Sequence, residues 1–132
     1  MNITASRKVV PAVSFCALLF VVGCATQYQA YEGQKLPSNK VAIVNGNLNV
    51  LPGASSVSIS SVDGKPLSPY QQSVEILPGT HVFGVQYRLN LAGGLVANGR
   101  VAIDSQAGKT YRIDSKRDGD SVTFSVVEEP AK

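Results

Sequence analysis

From Lys40 onward, apolar and polar residues alternate in short runs that glycine, proline and aspartate separate. A period of two places successive side chains on opposite faces of a strand, so the alternation indicates antiparallel β-structure with one buried face. No segment after residue 24 carries a sustained 3.6-residue apolar stripe, and no significant helix is expected there. The pattern predicts one all-β domain over residues 40–129, a single antiparallel β-sandwich of about seven strands.

Seven segments carry this alternation and are predicted as strands. In chain order they read KVAIVN, VSIS, SVEIL, HVFGVQYRL, LVANGRVAID, TYRID and SVTFSVV, and the fifth is expected to kink at Asn98-Gly99. Leu-Pro-Gly turns at 51–53 and 77–79, and Asp-Gly turns at 63–64 and 118–119, separate several of them. The side chains expected to face the core are Val41, Ile43, Val57, Ile59, Val74, Ile76, Phe83, Val85, Tyr87, Leu89, Tyr111, Ile113, Val122, Phe124 and Val126.

The first 23 residues have the layout of a signal peptide. Arg7 and Lys8 precede a run of 15 residues, 9–23, in which Ser14 is the clearly polar side chain. A bilayer-spanning helix needs about 20 apolar residues, so this run is too short for a good permanent anchor. The sequence therefore predicts a cleaved signal peptide over residues 1–23.

The end of that run, Val21-Val22-Gly23-Cys24, resembles the lipobox of bacterial lipoproteins, in which small residues precede an invariant cysteine. The resemblance implies cleavage between Gly23 and Cys24 and transfer of a diacylglycerol to the Cys24 sulfur. Two or three acyl chains keep a protein on a membrane. Because Ala25 and not aspartate follows the cysteine, the family's sorting rule implies the outer membrane, facing the periplasm. The alternative is an ordinary signal peptide with an incidental cysteine.

Cleavage there would leave 109 of the 132 residues, enough for one domain. Cys16 would leave with the signal peptide and Cys24 would be acylated, so no disulfide is expected in the mature chain. Residues 24–39 are predicted to be the lipidated N-terminus and a flexible tether, because they include Gly33 and Pro37 and lack an apolar period. Fully extended, 15 residues reach about 50 Å. Docking of the tether tyrosines on the domain or at the lipid headgroups is the alternative.

The charge of the chain gives no sign of a nucleic-acid partner. The formal net charge is +3, and without Arg7 and Lys8 the chain keeps 10 basic against 9 acidic side chains. Nucleic-acid binding calls for lysine and arginine clustered on one face, and no such cluster is present in the sequence.

Residues 57–89 combine a strand, an Asp-Gly turn, a loop, the sequence LPGTH and a long alternating strand. This arrangement resembles the PEGA-type sandwich modules of bacterial envelope proteins. The resemblance implies a β-sandwich that serves as a surface or adaptor domain.

Residues with catalytic potential are sparse. His81 is the single histidine, so it is expected to pack at the edge of the sandwich and bond the turn backbone. No Gly-x-Ser-x-Gly elbow or phosphate-binding glycine motif occurs. Asp114, Asp118 and Asp120 form an acidic cluster, but Lys116 and Arg117 lie among them and the spacing does not fit a calcium loop. We therefore expect no enzyme activity, no metal and no cofactor.

A proline-rich segment, residues 62–72, is the predicted partner-binding loop, with Pro66, Pro69, Tyr70 and Gln71 as its contact residues. The alternative is that Tyr70 covers an open end of the sandwich. Taken together, the sequence predicts a membrane-anchored, non-catalytic adaptor that binds an envelope protein. The alternative function is a periplasmic carrier or sensor of a small apolar ligand or lipid, which would require a cavity between the sheets.

Overall fold

Nine β-strands make up most of residues 27–130, the part of the chain that the computed structural model describes. They are β1 (Tyr28–Gln29), β2 (Ala42–Asn45), β3 (Ser55–Val62), β4 (Lys65–Gln71), β5 (Ser73–Ile76), β6 (Gly79–Leu89), β7 (Val96–Ser105), β8 (Thr110–Asp118) and β9 (Ser121–Glu129), with a short 3-10 helix (Ser38–Lys40) before β2. One sheet has five strands in the order β1-β5-β2-β8-β9, and the other has four in the order β4-β3-β6-β7. The two sheets pack against each other, and the predicted all-β sandwich is confirmed.

The core lies between the sheets, where alternate side chains of both point inward. Its buried members are Ala42, Val44, Val57, Ile59, Val62, Val74, Ile76, Phe83, Val85, Ile103, Tyr111 and Ile113. The predicted inward faces of β3, β5, β6 and β8 are confirmed, although Leu89 at the end of β6 is only half-buried. In β9, Phe124 and Val126 are half-buried and pack against the core. Burial contributes about 1.5–3 kcal/mol for each large apolar side chain, so this interface is the main source of stability.

The predicted inward face of the first strand is wrong by one residue. Ala42 and Val44 point into the core and pair with Ile76 and Val74 of the neighbouring strand β5. Ile43 lies half-buried on the outer face of the sheet. Val41 is buried just before the strand begins. Because β2 lies in the middle of its sheet and is apolar on both faces, its sequence does not show which set of positions points inward.

A register shift in β3 lets the strand bury Ile59 and Val62, which lie three residues apart. Ile59 pairs with Val85 and Ser61 pairs with Gly84, so Ser60 is the extra residue of a β-bulge. A Cβ on Gly84 would lie 2.2 Å from the Ser61 hydroxyl oxygen. Glycine at position 84 therefore makes room for the serines of the bulge.

Strand β7 continues through Asn98 and Gly99 with an unbroken ladder to β6, so the predicted kink does not interrupt its pairing. Gly99 has a different role, because the ring of Phe124 from the other sheet lies against its backbone. A Cβ at position 99 would lie 2.5 Å from the nearest ring carbon. The glycine permits a close approach between the edge strands β7 and β9.

Most of the segment predicted as a partner-binding loop forms strand β4 instead, so the prediction of a loop is wrong there. β4 is an edge strand of the four-stranded sheet, where a missing proline N–H costs no internal hydrogen bond. Pro66 pairs with Ser61, and the register then shifts before Gln71 pairs with Ile59. Pro66 and Pro69, which suggested a loop in the sequence, are therefore residues of a sheet edge.

The substitution Gly99→Ala is expected to lower the free energy of unfolding by about 1–3 kcal/mol, because the added methyl group would overlap the ring of Phe124. Urea denaturation measures the change. In a Phe124→Leu background the same substitution should be neutral or slightly stabilising, since alanine loses less chain entropy than glycine. An equal cost in both backgrounds would show that the contact with Phe124 is not the cause.

Candidate functional site

The described part of the predicted tether lies on the five-stranded sheet. Tyr28 and Gln29 pair in parallel with Val74 and Glu75 of β5, and the Ala30 N–H donates to the Glu75 carbonyl oxygen at 2.9 Å. Ala30 also packs against the core. Within the described residues, the folded domain therefore begins at Tyr28 and not at Lys40.

Tyr31 fixes the segment that follows β1. Its hydroxyl group donates a hydrogen bond to Oε1 of Glu75 and accepts one from the Leu36 N–H at 3.0 Å. Glu75 is only 4% exposed. Desolvation, followed by the hydrogen bond to Glu75, raises the pKa of Tyr31 above its ordinary value. The hydroxyl group of Tyr31 therefore satisfies a carboxylate that the N-terminal segment covers.

One end of the sandwich, here called the Gln27 end, includes Gln27, loop 46–54, loop 90–95 and the β8–β9 hairpin, because β8 runs parallel to β2. β2 ends and β3 begins there, β6 ends and β7 begins there, and β1 starts there beside β5. Backbone hydrogen bonds join the two loops, from Gly53 N–H to Asn90 O at 2.8 Å and from Asn90 N–H to Ala54 O at 2.9 Å. A cleft of about 240 Å³ lies at this end, with Leu48, Val50 and Asn90 among its lining residues.

A wider groove of about 940 Å³ crosses the outer face of the five-stranded sheet. Ile43 and Ser73 line its floor, and Gln27 and Leu48 lie at the Gln27 end. At the other end lies Lys109, whose Nζ is 3.1 Å from Oε1 of Glu128. The groove thus combines a mainly apolar surface with polar and charged side chains, a composition suited to a polypeptide surface.

The opposite end, here called the His81 end, contains a clamp between two turns. His81 Nδ1 lies 2.6 Å from Oδ2 of Asp63, and His81 Nε2 lies 2.7 Å from the Leu77 carbonyl oxygen. Both partners are hydrogen-bond acceptors, so a ring nitrogen bonds either of them only through an N–H group. Asp63 has a positive φ of 48° in the hairpin turn and accepts the Val82 N–H at 2.9 Å. His81 therefore joins the 63–64 turn to the 77–79 turn, in agreement with the structural role expected for it.

The other sequence-predicted site residues do not converge on one site. Gly23 and Cys24 lie outside the described residues. Pro66, Pro69, Tyr70 and Gln71 lie along β4, where Gln71 Nε2 donates to the Ser73 carbonyl oxygen at 3.0 Å.

Asp114 bonds Arg112 within its own strand. Arg112 Nε donates to Oδ1 of Asp114 at 2.8 Å, and this bond contributes most to a pKa of Asp114 below its ordinary value. Asp118 and Asp120 are exposed at the hairpin that follows. Across residues 27–130, no group of three or more histidine, cysteine, aspartate or glutamate side chains is placed to hold a metal ion.

Within the same range, no helix has the length and apolar character needed to cross a bilayer. Comparisons with protein-family models, with curated proteins and with solved structures find no match for this chain.

The sequence prediction missed two features that bear on function. One is the pairing of β1 with β5 and of Tyr31 with Glu75. Docking of the tether tyrosines on the domain is only the alternative in the sequence prediction, because a two-residue strand and a distant glutamate give no local pattern. The other is the set of exposed apolar side chains in loops 46–54 and 90–95. Both loops lack charged residues, and this signal was available in the sequence.

The substitution Tyr31→Phe is expected to weaken the attachment of the N-terminal segment, because the buried Glu75 carboxylate loses its donor. Hydrogen exchange of the Ala30 amide measures the attachment. Tyr28→Phe, which removes a hydroxyl group from an exposed tyrosine on the same segment, is the matched control and should leave the exchange unchanged. Equal exchange in the two variants would contradict the assignment.

The Asp63–His81 clamp should give the protein an acid-sensitive stability. Partial burial acts to raise the pKa of Asp63, but the hydrogen bonds from His81 and Val82 outweigh it and bring the pKa below 3.8. The resulting stabilisation is present above pH 3.8 and is lost as the pH falls through the folded-state pKa.

Melting curves between about pH 7 and pH 2 test this expectation. Asp63→Asn keeps a residue that tolerates positive φ and should melt at a lower temperature than the wild type at neutral pH, with the gap closing as the pH falls. Asp104→Asn, which changes an exposed carboxylate on β7, should show no such convergence. A constant gap for Asp63→Asn across the range would refute the clamp.

Proposed function

We propose that this chain is an envelope lipoprotein, acylated on Cys24, whose β-sandwich is a non-catalytic adaptor for another envelope protein. The Val21-Val22-Gly23-Cys24 sequence is the basis for the acylation and for cleavage before Cys24. Ala25 after the cysteine leads us to assign it to the outer membrane, on the periplasmic side. PEGA-type modules, which residues 57–89 resemble, provide the precedent for an adaptor sandwich.

The attachment of β1 to β5 is the observation that carries the mechanism. Only four peptide steps separate Cys24 from Tyr28, the first residue of β1. Fully extended, that length is about 14 Å, against about 50 Å for a free 15-residue tether. An acyl anchor on Cys24 would therefore hold the sandwich close to the lipid headgroups, and its partner would have to meet it there.

The packing of the interior favours an adaptor over a carrier. The space between the sheets holds fully buried side chains, including Phe83, Ile59, Ile76 and Ile113. An apolar ligand would have to displace them at a cost of several kcal/mol. The groove of about 940 Å³ lies outside, on the five-stranded sheet, and its ion pair and polar walls suit a segment of protein. We assign the partner to this groove.

Cross-linked capture from the native envelope tests the proposal, together with metabolic labelling by an alkyne fatty acid. The wild type and Cys16→Ala, the matched cysteine control, should carry the label and capture one envelope protein. Cys24→Ala should lose both the label and the capture, because it lacks the acylated sulfur. Label that persists in Cys24→Ala would contradict the proposed anchor.

A pair of arginine substitutions locates the binding surface in the same experiment. Ser73→Arg places a long cation in the groove and should abolish capture while leaving the label intact. Ser121→Arg, on the exposed start of β9, is the control and should retain both. Capture that survives Ser73→Arg would remove the groove from the proposal.

A further inference from the structure

Four exposed apolar side chains cluster at the Gln27 end of the sandwich. Leu48 is 59% exposed, Val50 78%, Leu51 64% and Leu91 56%. They belong to loops 46–54 and 90–95, which hydrogen bonds join into one surface. A Cβ at Gly53, in the first loop, would lie 4.0 Å from the side chain of Leu91 in the second. We call these four residues the apolar rim.

Part of the backbone around the apolar rim is satisfied from within the protein. Ser56 accepts the Asn49 N–H at 3.0 Å and donates to the Asn49 carbonyl oxygen at 2.8 Å. The Asn90 side-chain amide donates to the carbonyl oxygen of Asn49 and lies 3.5 Å from that of Leu51. Backbone groups that already have partners lose little on leaving water, which lowers the cost of moving Asn49, Leu51 and Asn90 into a less polar medium.

The loops that carry the apolar rim are also free of charge, and the charged side chains at this end belong to the neighbouring β8–β9 hairpin, with Lys116, Arg117, Asp118 and Asp120. Residues 46–54 read GNLNVLPGA and residues 90–95 read NLAGGL, without aspartate, glutamate, lysine or arginine. A charged side chain would oppose transfer of the loops into the interfacial region of a bilayer. Leucine and valine at the tips of such loops favour that transfer, because their apolar side chains leave water.

The course of the chain specifies what this surface faces. β1 runs parallel to β5 from the Gln27 end, and Gln27 and Leu48 line the same groove. Three peptide steps separate Cys24 from Gln27, a span of at most about 11 Å. An acyl anchor on Cys24 would therefore bring the bilayer to the end of the sandwich that carries the apolar rim.

We propose that the apolar rim inserts into the interfacial layer of the bilayer beside the acyl chains, as a second membrane contact that orients the domain. This inference rests on the proposed lipidation of Cys24. The anchor keeps the loops at high effective concentration near the lipid, so even weak insertion is sustained. The His81 end then points away from the membrane, and the groove on the five-stranded sheet runs from the membrane outward.

Site-specific fluorescence of the full-length, acylated protein tests this contact. The protein is reconstituted into vesicles of phosphatidylethanolamine and phosphatidylglycerol, and an environment-sensitive fluorophore is attached at Val50→Cys. Val82→Cys is the matched control, because Val82 is also an exposed valine and bonds the 63–64 turn at the opposite end. Lipids that carry a nitroxide on the acyl chain quench a fluorophore only when it lies within the bilayer.

At position 50 we expect blue-shifted emission and a roughly twofold or greater loss of intensity on adding nitroxide lipid, with neither change at position 82. Adding Leu51→Asp to the Val50→Cys variant should abolish the quenching. Unquenched emission at position 50 in a chain whose mass shows the acyl groups would overturn the inference while leaving the proposed lipidation intact. Quenching in a chain whose mass lacks acyl groups would support the contact and refute the lipidation.

A blue shift at position 50 without quenching would show that protein covers the apolar rim, either a second copy or a partner. That result would also overturn the membrane contact. Cross-linking through Val50→Cys then identifies which protein is present.

Discussion

The fold depends on burial of apolar side chains between two sheets, because residues 25–132 contain no cysteine with which to form a disulfide. Each strand must therefore keep its apolar positions facing the other sheet, or the sandwich loses its main source of stability. Two local features maintain this arrangement. The bulge at Ser60 allows both Ile59 and Val62 to point inward, and Gly99 lets the ring of Phe124 close the gap between β7 and β9.

The same constraint explains the attachment of the N-terminal segment. β5 would be an edge strand without β1, and the Glu75 side chain on its outer face would lie in water. Tyr28 and Gln29 supply backbone partners, Ala30 packs on the core, and Tyr31 donates to the Glu75 carboxylate. A segment with the composition of a linker is thereby made part of the sheet. The structure thus connects the first described residues to the core through a few well-defined contacts.

Much of the fold is predictable from the sequence, because alternation, Pro-Gly turns and Asp-Gly turns act over short distances. The inward faces of β3, β5, β6 and β8 follow from the period of two. The phase of β2 does not, because a central strand is apolar on both sides. β4 is obscured by Pro66 and Pro69, which are compatible with an edge strand but not with a central one.

The functional surfaces are less accessible to sequence reasoning than the fold. Neither the contact between Tyr31 and Glu75, 44 positions apart, nor the convergence of loops 46–54 and 90–95 has a local pattern. Both depend on the order of strands in the sheets. The absence of charge from the two loops is visible in the sequence, but its meaning requires knowing that they lie together at the end where β1 begins.

The orientation of β1 also determines how the domain responds to mechanical load. A pull on the N-terminus along the strand axis, with the sandwich held by a partner, loads the hydrogen bonds between β1 and β5 in shear, so they share the force. The strand has only two residues, and it should yield before the longer ladders of the sandwich. Release of the segment up to Lys40 would add roughly 40 Å of chain without disturbing the core. In the proposed arrangement, the short connection would then work as an extensible element that lengthens when the anchored end is drawn away from the bound sandwich.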